Sequence, residues 1–215
     1  MSTAKIVVMP RDYPAQDPSA PKLVLAHGAG AGHDHAWMIR VAKGLAARGV
    51  HVVTFNFPYI ERKKSVPDPA PVLESAFVDI WKGAGARFAG GKSMGGRMAS
   101  QVAAKAAFDP PAAGLVFFGY PLHPPGKPDQ RRDKHLASIE APMLFLHGTR
   151  DPFGSPDEMT ALTGALQRAE LHVVDGGDHS LTRRSRKAGP DPLLVSALDA
   201  AALWIHAQVN GAMRQ

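Results

Sequence analysis

Short apolar stretches of β type alternate along this chain with segments whose apolar residues recur at helical spacing. Several of the β-type stretches are apolar almost throughout, which is typical of strands that are buried on both faces of a parallel sheet. The alternation predicts an α/β fold: a three-layer sandwich in which helices cover both faces of a mostly parallel sheet of about six to seven strands. The candidate strands are Ile6–Met9, Lys22–His27, His51–Phe55, Arg87–Ala89, Gly114–Gly119, Met143–His147 and Leu171–Val174.

Local residue patterns also predict where helices start and where loops lie. Ser155 as N-cap, Pro156 at the first helical position and Glu158 at the third predict the start of one helix. A last helix is predicted from Leu193 to about Val209, with an apolar face that should cover the sheet. The stretches that predict loops, because they are rich in proline and charge, are Tyr59–Pro71 and Pro121–Asp133.

The chain has the size and composition of one globular domain. Its 215 residues are 45% hydrophobic and 20% charged, and no linker divides them, so we expect a single domain over residues 1–215. The longest apolar runs, such as Leu23–Ala26 and Gly114–Tyr120, are far shorter than the roughly 20 residues that cross a bilayer, so we expect no membrane insertion. The first residues lack the apolar core of a secretory signal, which favours a cytoplasmic location.

Charge and cysteine content limit the kinds of site and partner that this chain can have. The absence of cysteine excludes disulfides, cysteine-ligated metal centres and a cysteine nucleophile. The net charge of +6 favours acidic partners, but no nucleic-acid-binding motif accompanies it, so we expect no nucleic-acid partner. His33 and His35 lack a third ligand, and Asp34 between them is equally suited to cap a helix, so we expect no metal. The basic clusters, which we interpret as solvated surface, are Arg62–Lys64, Arg131–Lys134 and Arg183–Lys187.

One motif, Gly91-Lys92-Ser93-Met94-Gly95, combines a candidate nucleophile with a sharp turn. It follows the predicted strand Arg87–Ala89 and opens a predicted helix near Met94. A serine hydroxyl is a weak nucleophile unless it is exposed to the substrate and paired with a base. A strand-to-helix turn flanked by small residues provides that exposure, so Ser93 is the candidate nucleophile. The alternative of a phosphate-binding loop is weaker, because Ala86 stands where that loop needs its first glycine.

An acid and a base follow the nucleophile along the chain. Asp151 and His179 each come just after one of the last two predicted strands. His179 is the candidate base, and Asp151 is the candidate acid that orients its imidazole. Asp178 is the main competing acid and Asp175 a lesser one, but a neighbour in sequence rarely reaches back beneath the imidazole.

The negative oxygen that forms during acyl transfer needs fixed N–H donors. The backbone amide of Met94, at the start of the predicted helix, is one candidate. The second is expected from the glycine-rich loop after Lys22–His27, where we assign Ala29 and keep Gly30 as an alternative. This loop departs from the dinucleotide-binding fingerprint, because His33 stands at the position of its third glycine. The candidate pocket residues are Gly28, Gly30, Tyr120 and Phe153.

Together these motifs resemble those of an α/β-hydrolase. The resemblance extends from the His-Gly pair of the glycine-rich loop through the serine turn and the segment HGTRD to the segment GGDHSL. The segments GYPLHPPGK and GGKSMGGRMAS further resemble a small, lid-less group related to dienelactone hydrolases, which includes the testis-expressed 30 and KAT8 regulatory complex subunit 3 proteins. The resemblance implies a serine hydrolase without a cap domain.

The sequence therefore predicts a serine hydrolase for a small ester, thioester or lactone-like acyl compound, with no metal or organic cofactor. Without a cap, the pocket is expected to be shallow and open, and the positive net charge favours an anionic acyl substrate. We expect a monomer or a weak homodimer. The alternative is a catalytically weak binding module or complex subunit, with the loop Pro121–Lys134 as its partner surface.

Overall fold

The computed structural model describes residues 8–183 and 191–212. The strands are β1 (Arg11–Tyr13), β2 (Lys22–Ala26), β3 (His51–Phe55), β4 (Phe88–Lys92), β5 (Gly114–Phe118), β6 (Met143–Gly148) and β7 (Ala169–Val174). They form one seven-stranded sheet in the order β1-β3-β2-β4-β5-β6-β7. β1 pairs antiparallel with β3, and the other neighbouring pairs are parallel. The mostly parallel sheet that the sequence predicts is confirmed.

Helices cover both faces of this sheet. The helices are α1 (Ala36–Ala46), α2 (Pro58–Glu61), α3 (Ala70–Ala84), α4 (Met94–Ala104), α5 (Pro156–Ala165) and α6 (Pro192–Ala212). Apolar side chains of α3, α4 and α5 pack in one core layer, and those of α1 and α6 pack in the other. Val116 and Phe117, which are successive residues of β5, belong to opposite layers, as the alternation of a strand requires. The three-layer sandwich is therefore also confirmed.

The first strand differs from the prediction. Part of the predicted strand Ile6–Met9 lies outside the described residues, and Val8 and Met9 form no strand. The antiparallel edge strand is β1, in which Tyr13 pairs with Val52 of β3. Only Tyr13 of its three residues is buried. An edge strand this short and polar forms through backbone pairing, so it carries no apolar alternation that the sequence could reveal.

The boundaries of β4 and of the loop after β3 also differ from the prediction. β4 runs to Lys92 rather than ending at Ala89, so the glycines that precede Ser93 belong to the sheet. The predicted loop Tyr59–Pro71 begins within the short helix α2, which starts at Pro58 and buries its tyrosine side chain. The predicted loop Pro121–Asp133 contains neither helix nor strand, as expected.

The helix starts follow local capping chemistry. The predicted capping box of α5 is present, because the side chains of Ser155 and Glu158 each accept from the other's backbone amide. α1 is capped by His35, whose ring accepts from the amide of Trp37, and not by Asp34. Asp34 instead pairs with Arg11 at 2.5 Å. The candidate cap was therefore wrong by one residue, since an imidazole nitrogen can fill the same role as a carboxylate oxygen.

α6 is the one helix of the described chain that is long and apolar enough, by length and composition, to cross a membrane. One of its faces packs on the sheet, where Leu194, Leu198, Ala201 and Ile205 are buried. This is the covering role that the sequence predicts for the last helix. The described connections between strands contain no separate cap domain; the one between β5 and β6 contains a single helical turn at Leu136–Ser138.

Candidate active site

The turn between β4 and α4 holds Ser93 in a strained backbone conformation. Its φ of 49° and ψ of −113° are values that residues other than glycine rarely adopt. The Ser93 amide donates to the carbonyl of Phe118 at 3.1 Å, and the Ser93 carbonyl accepts from the amide of Arg97 at 3.1 Å. These bonds stabilise the turn at the carboxyl edge of the sheet, where a ligand can reach the hydroxyl.

Close backbone packing explains the glycines of the motif. A Cβ atom on Gly95 would lie 2.4 Å from the carbonyl oxygen of Ala26, and one on Gly91 would lie 2.5 Å from the carbonyl carbon of Gly95. Both separations are far below ordinary van der Waals contact. Glycine is therefore required where the first turn of α4 lies directly against β2 and β4.

Ser93, His179 and Asp151 form a continuous hydrogen-bonded chain. Ser93 Oγ lies 2.9 Å from His179 Nε2, and His179 Nδ1 lies 2.8 Å from Asp151 Oδ2. Because an ionised carboxylate can only accept, Nδ1 carries the proton and Nε2 is left to accept from the serine hydroxyl. The three candidate catalytic residues, which follow three different strands, thus lie together at one edge of the sheet.

The two competing acids are engaged elsewhere. Oδ1 of Asp178 accepts from the amides of Ser180 at 2.8 Å and Thr182 at 3.2 Å, so it shapes its own loop. Asp175 accepts from the hydroxyl of Thr149 at 3.3 Å. Neither carboxylate is hydrogen-bonded to the candidate base in the described chain.

Burial and hydrogen bonding set the charges of the candidate acid and base. Burial by itself would raise the pKa of Asp151, but the bond to His179 and the amide of Phe153 outweigh it, so the pKa is lowered. Burial lowers the pKa of His179; the carboxylate of Asp151 opposes this, and the charge of Lys92 adds to it. At neutral pH the carboxylate is therefore ionised and the imidazole neutral, which is the form that accepts a proton.

Lys92 precedes the nucleophile and contributes a positive charge to which the sequence assigned no role. Its ammonium donates to the backbone carbonyl of His179. It also lies 5.6 Å from the centroid of the Trp37 ring. Burial lowers the pKa of Lys92 to about 8, while the charges of Asp151 and Asp178 oppose this change. The side chain connects the end of β4 to the loop that carries the imidazole.

Two side chains fix the carbonyls of Gly28 and Ala29 in the glycine-rich loop. His27 Nε2 accepts from the amide of Phe57 at 3.0 Å, so Nδ1 carries the proton and donates to the carbonyl of Gly28 at 2.7 Å. The hydroxyl of Tyr59 donates to the carbonyl of Ala29 at 2.8 Å. The N–H and C=O of a trans peptide point in opposite directions. Both bonds therefore fix the directions of the next two amides, which are the two candidate oxyanion donors of this loop.

Ser93 lies where two clefts meet. The first, of about 410 Å³, we call the tryptophan cleft; its lining includes Gly28, Gly30, Trp37, Met38 and His179. The second, of about 290 Å³, we call the arginine cleft; its lining includes Asp68, Met94, Arg97, Pro121 and Arg132. Ser93, Ala29 and Phe153 line both clefts. The ring of Phe153 also stacks on the His179 imidazole with 4.2 Å between centroids.

Tyr120 lies behind the wall of the arginine cleft rather than in it. Its side chain is buried, and its hydroxyl donates to the carbonyl of Arg132 at 2.8 Å. The next residue, Pro121, lines the cleft in its place. The other predicted pocket residues line one cleft or both. A larger cleft of about 530 Å³ around Ile139 and Arg168 contains none of the candidate site residues.

Solved structures with low sequence identity share this architecture. Est1E from Butyrivibrio proteoclasticus, solved with ferulic acid bound, matches with a TM-score of 0.73 and 11% identity over 94% of this chain and 96% of that chain. The dienelactone hydrolase from Anabaena variabilis ATCC 29413 matches with a TM-score of 0.73 and 17% identity over 96% and 94%. The monoacylglycerol lipase from Paleococcus ferrophilus matches with a TM-score of 0.66 and 15% identity over 94% and 100%. These matches establish the fold.

A family model extends the likeness from fold to sequence. Residues 19–206 match the family described as an alpha/beta hydrolase domain, a range that includes all the candidate site residues. The likeness to dienelactone hydrolase agrees with the small, lid-less architecture that the sequence implies. The finer resemblance to the testis-expressed 30 and KAT8 regulatory complex subunit 3 proteins stays a prediction. The chain belongs to the alpha/beta hydrolase family.

Proposed function

We propose that the protein is a serine hydrolase that cleaves a small ester, thioester or lactone-like substrate through an acyl-enzyme. The observation that carries the proposal is the hydrogen-bonded chain from Ser93 through His179 to Asp151. A hydroxyl, a neutral imidazole and a buried carboxylate in this order are the groups that activate a serine for attack on an acyl carbon.

In the first half of the proposed reaction, Ser93 Oγ attacks the acyl carbon while His179 Nε2 takes the hydroxyl proton. The acyl oxygen becomes negative and accepts from the amide of Met94 and from the amide of Ala29 or Gly30. The imidazolium that forms is stabilised by the carboxylate of Asp151. The bond to the leaving oxygen or sulfur then breaks as Nε2 returns the proton to that atom, and an acyl-serine remains.

In the second half, a water molecule takes the place of the leaving group. His179 Nε2 removes one proton from the water as its oxygen attacks the acyl carbon, and a second oxyanion forms at the same donors. The bond to Ser93 Oγ breaks as the imidazole returns the proton to it, which releases the carboxylic acid. Every step uses side chains and amides of this chain, so the proposed reaction needs no metal or organic cofactor.

The structural neighbours are compatible with this reaction class. Their names include a dienelactone hydrolase, a monoacylglycerol lipase and a thioesterase domain from the curacin biosynthetic pathway. Lactones, glycerol esters and thioesters all react at an acyl carbon with an oxygen or sulfur leaving group. The open junction of two clefts at Ser93, with no cap domain in the described chain, favours small substrates.

The alternative function is a binding module that has kept the fold without the activity. Labelling with a fluorophosphonate probe separates the two functions, because the probe reacts only with an activated serine. We expect an adduct on Ser93 in the wild type, located by peptide mass, and none in Ser93→Ala or His179→Ala.

The exposed Ser138 provides a matched control, since Ser138→Ala removes a hydroxyl that donates to the backbone carbonyl of His135, outside the site. This variant should label like the wild type. A folded wild-type protein without an adduct would contradict the hydrolase and support the binding module.

A further inference from the structure

The arginine cleft carries two positive side chains close to the nucleophile. Arg97 and Arg132 both line it, together with Ser93 and Met94. Arg97 stands four residues after Ser93 and its amide bonds the Ser93 carbonyl, so the two residues are separated by about 6 Å along α4. Because Ser93 and Arg97 also line the same cleft, a short acyl chain on Ser93 Oγ can extend along this cleft toward the Arg97 side chain.

Neither guanidinium has a partner within the described chain. Arg97 Nε is buried and makes no hydrogen bond, and no hydrogen bond or ion pair is formed by the side chain of either arginine. Two other arginines are paired: Arg48 lies 2.6 Å from Asp199, and Arg131, next to Arg132, lies 2.5 Å from Asp133. A buried guanidinium nitrogen without an acceptor costs free energy unless a ligand supplies one.

The surrounding structure fixes the backbone that carries these two side chains. The backbone of Arg132 is fixed by two bonds of 2.8 Å, from the Tyr120 hydroxyl to its carbonyl and from its own amide to the carbonyl of Leu122. Burial and the charge of Arg97 both lower the pKa of Arg132, which indicates that the two cations share a partly desolvated space. The backbone positions from which the two guanidinium groups extend are therefore set before any ligand arrives.

One carboxylate also faces the arginine cleft. Asp68 lines it, but its Oδ1 is already paired with Arg62, and its Oδ2 is buried without a hydrogen bond. The Asp68–Arg62 pair contributes no net charge. The lining of the cleft is therefore left with the two positive charges of Arg97 and Arg132.

The position of His179 determines which part of a substrate contacts Arg97 and Arg132. His179 lines the tryptophan cleft and not the arginine cleft. The proposed reaction requires the imidazole to protonate the leaving atom, so the leaving group occupies the tryptophan cleft. The acyl chain then extends from Ser93 into the arginine cleft.

We propose that the acyl group of the substrate carries a carboxylate, which binds Arg97 and Arg132 in the arginine cleft. The substrate class is thus a half-ester or half-thioester of a short dicarboxylic acid. This assignment rests on the proposed hydrolase function for its turnover, but the carboxylate site itself can be tested by binding. Guanidinium groups suit this ligand because they donate two parallel hydrogen bonds to one carboxylate.

A pair of nitrophenyl esters of equal acyl length tests the preference by kinetics. The glutaric acid monoester ends in a carboxylate, and the pentanoic acid ester ends in a methyl group; spontaneous hydrolysis is subtracted for both. We expect the wild type to prefer the glutarate ester. Arg97→Gln and Arg132→Gln should each lower the ratio of the two kcat/KM values by about 10- to 100-fold. Arg97→Lys should keep part of the preference.

The exposed Arg40 on α1, outside both clefts, provides the matched control, so Arg40→Gln should leave both rates unchanged. A wild-type ratio near unity, or equal effects of Arg97→Gln and Arg40→Gln, would overturn the carboxylate site while the hydrolase function stands.

Calorimetric binding to Ser93→Ala removes any dependence on turnover. Glutarate should bind this variant more tightly than pentanoate or inorganic phosphate, and the added change Arg97→Gln should abolish the difference. If no Ser93 adduct forms in the wild type but glutarate still binds through Arg97, the hydrolase function fails and the carboxylate site stands. Equal binding of phosphate and glutarate, or of glutarate and pentanoate, would overturn the site.

Discussion

The ammonium of Lys92 hydrogen-bonds the backbone carbonyl of His179, so the residue before the candidate nucleophile holds the loop that carries the candidate base. The same contact places a positive charge beside the imidazole. This charge and the burial of the ring both lower the pKa of His179, with burial the larger cause. Lys92 thus influences both the position and the protonation of the base.

Replacing this charge should move the pH dependence of hydrolysis. In Lys92→Met the imidazolium is no longer repelled, so the pKa of His179 should rise and the acid limb of kcat/KM should shift to higher pH. Lys92→Arg keeps the charge and should shift the limb less. The measurement is a pH profile of kcat/KM for a neutral ester. Equal shifts in both variants would show that the side chain acts by position and not by charge.

Tyr59 should affect the transition state more than substrate binding. Tyr59→Phe removes the hydroxyl that fixes the carbonyl of Ala29, so the adjacent candidate oxyanion donor loses its fixed direction. Because the oxyanion exists only during the reaction, we expect kcat to fall by about tenfold with little change in KM. Tyr13→Phe, in the edge strand β1, is the control and should leave kcat unchanged. A rise in KM alone would contradict this role for the hydroxyl.

The strain at Ser93 should be measurable as stability. A residue with a side chain raises the free energy of the folded state when its φ is positive, whereas glycine does not. Ser93→Gly should therefore unfold at a higher urea concentration than Ser93→Ala, with a free energy of unfolding larger by about 1 kcal/mol. Both variants lack the nucleophile, so the comparison isolates the backbone. Equal unfolding midpoints would mean that the turn is not strained.

The packing of α4 on the sheet should tolerate no side chain at Gly95. The Cβ atom of Gly95→Ala would lie 2.4 Å from the Ala26 carbonyl oxygen, so we expect a loss of about 2–4 kcal/mol in the free energy of unfolding. Gly83, in α3, has no atom within 4 Å of its Cβ position. Gly83→Ala should therefore raise the free energy of unfolding by about 0.5–1 kcal/mol through helix propensity. Similar effects at the two sites, measured by urea unfolding, would contradict the close packing.

The candidate catalytic residues could be predicted from the sequence because of a property of parallel sheets. Ser93, Asp151 and His179 each follow a strand, and the carboxyl ends of parallel strands meet at one edge. The order β4-β5-β6-β7 then brings the three turns together. Local motif and chain order were therefore sufficient to predict that these three side chains lie together.

The roles of Lys92, Tyr59 and Arg97 could not be predicted in the same way. Tyr59 lies in a stretch whose proline and charge content favours a loop. Its role depends on a hydrogen bond to the carbonyl of Ala29, which is 30 residues away in sequence. Arg97 looks in sequence like any exposed helical cation. Its significance comes from a guanidinium that has no hydrogen bond or ion pair within the described residues, which depends on how distant segments fold around it.

The first turn of α4 connects Ser93 to Arg97. The glycines in this turn allow it to pack closely on the sheet. The distance between the attacking oxygen and the start of the guanidinium side chain is therefore set by helical pitch and not by a loop. The helix acts as a fixed spacer for the acyl chain. Acyl-length selectivity should accordingly persist when the loops around the clefts vary, and change when the side chain at position 97 is shortened or lengthened.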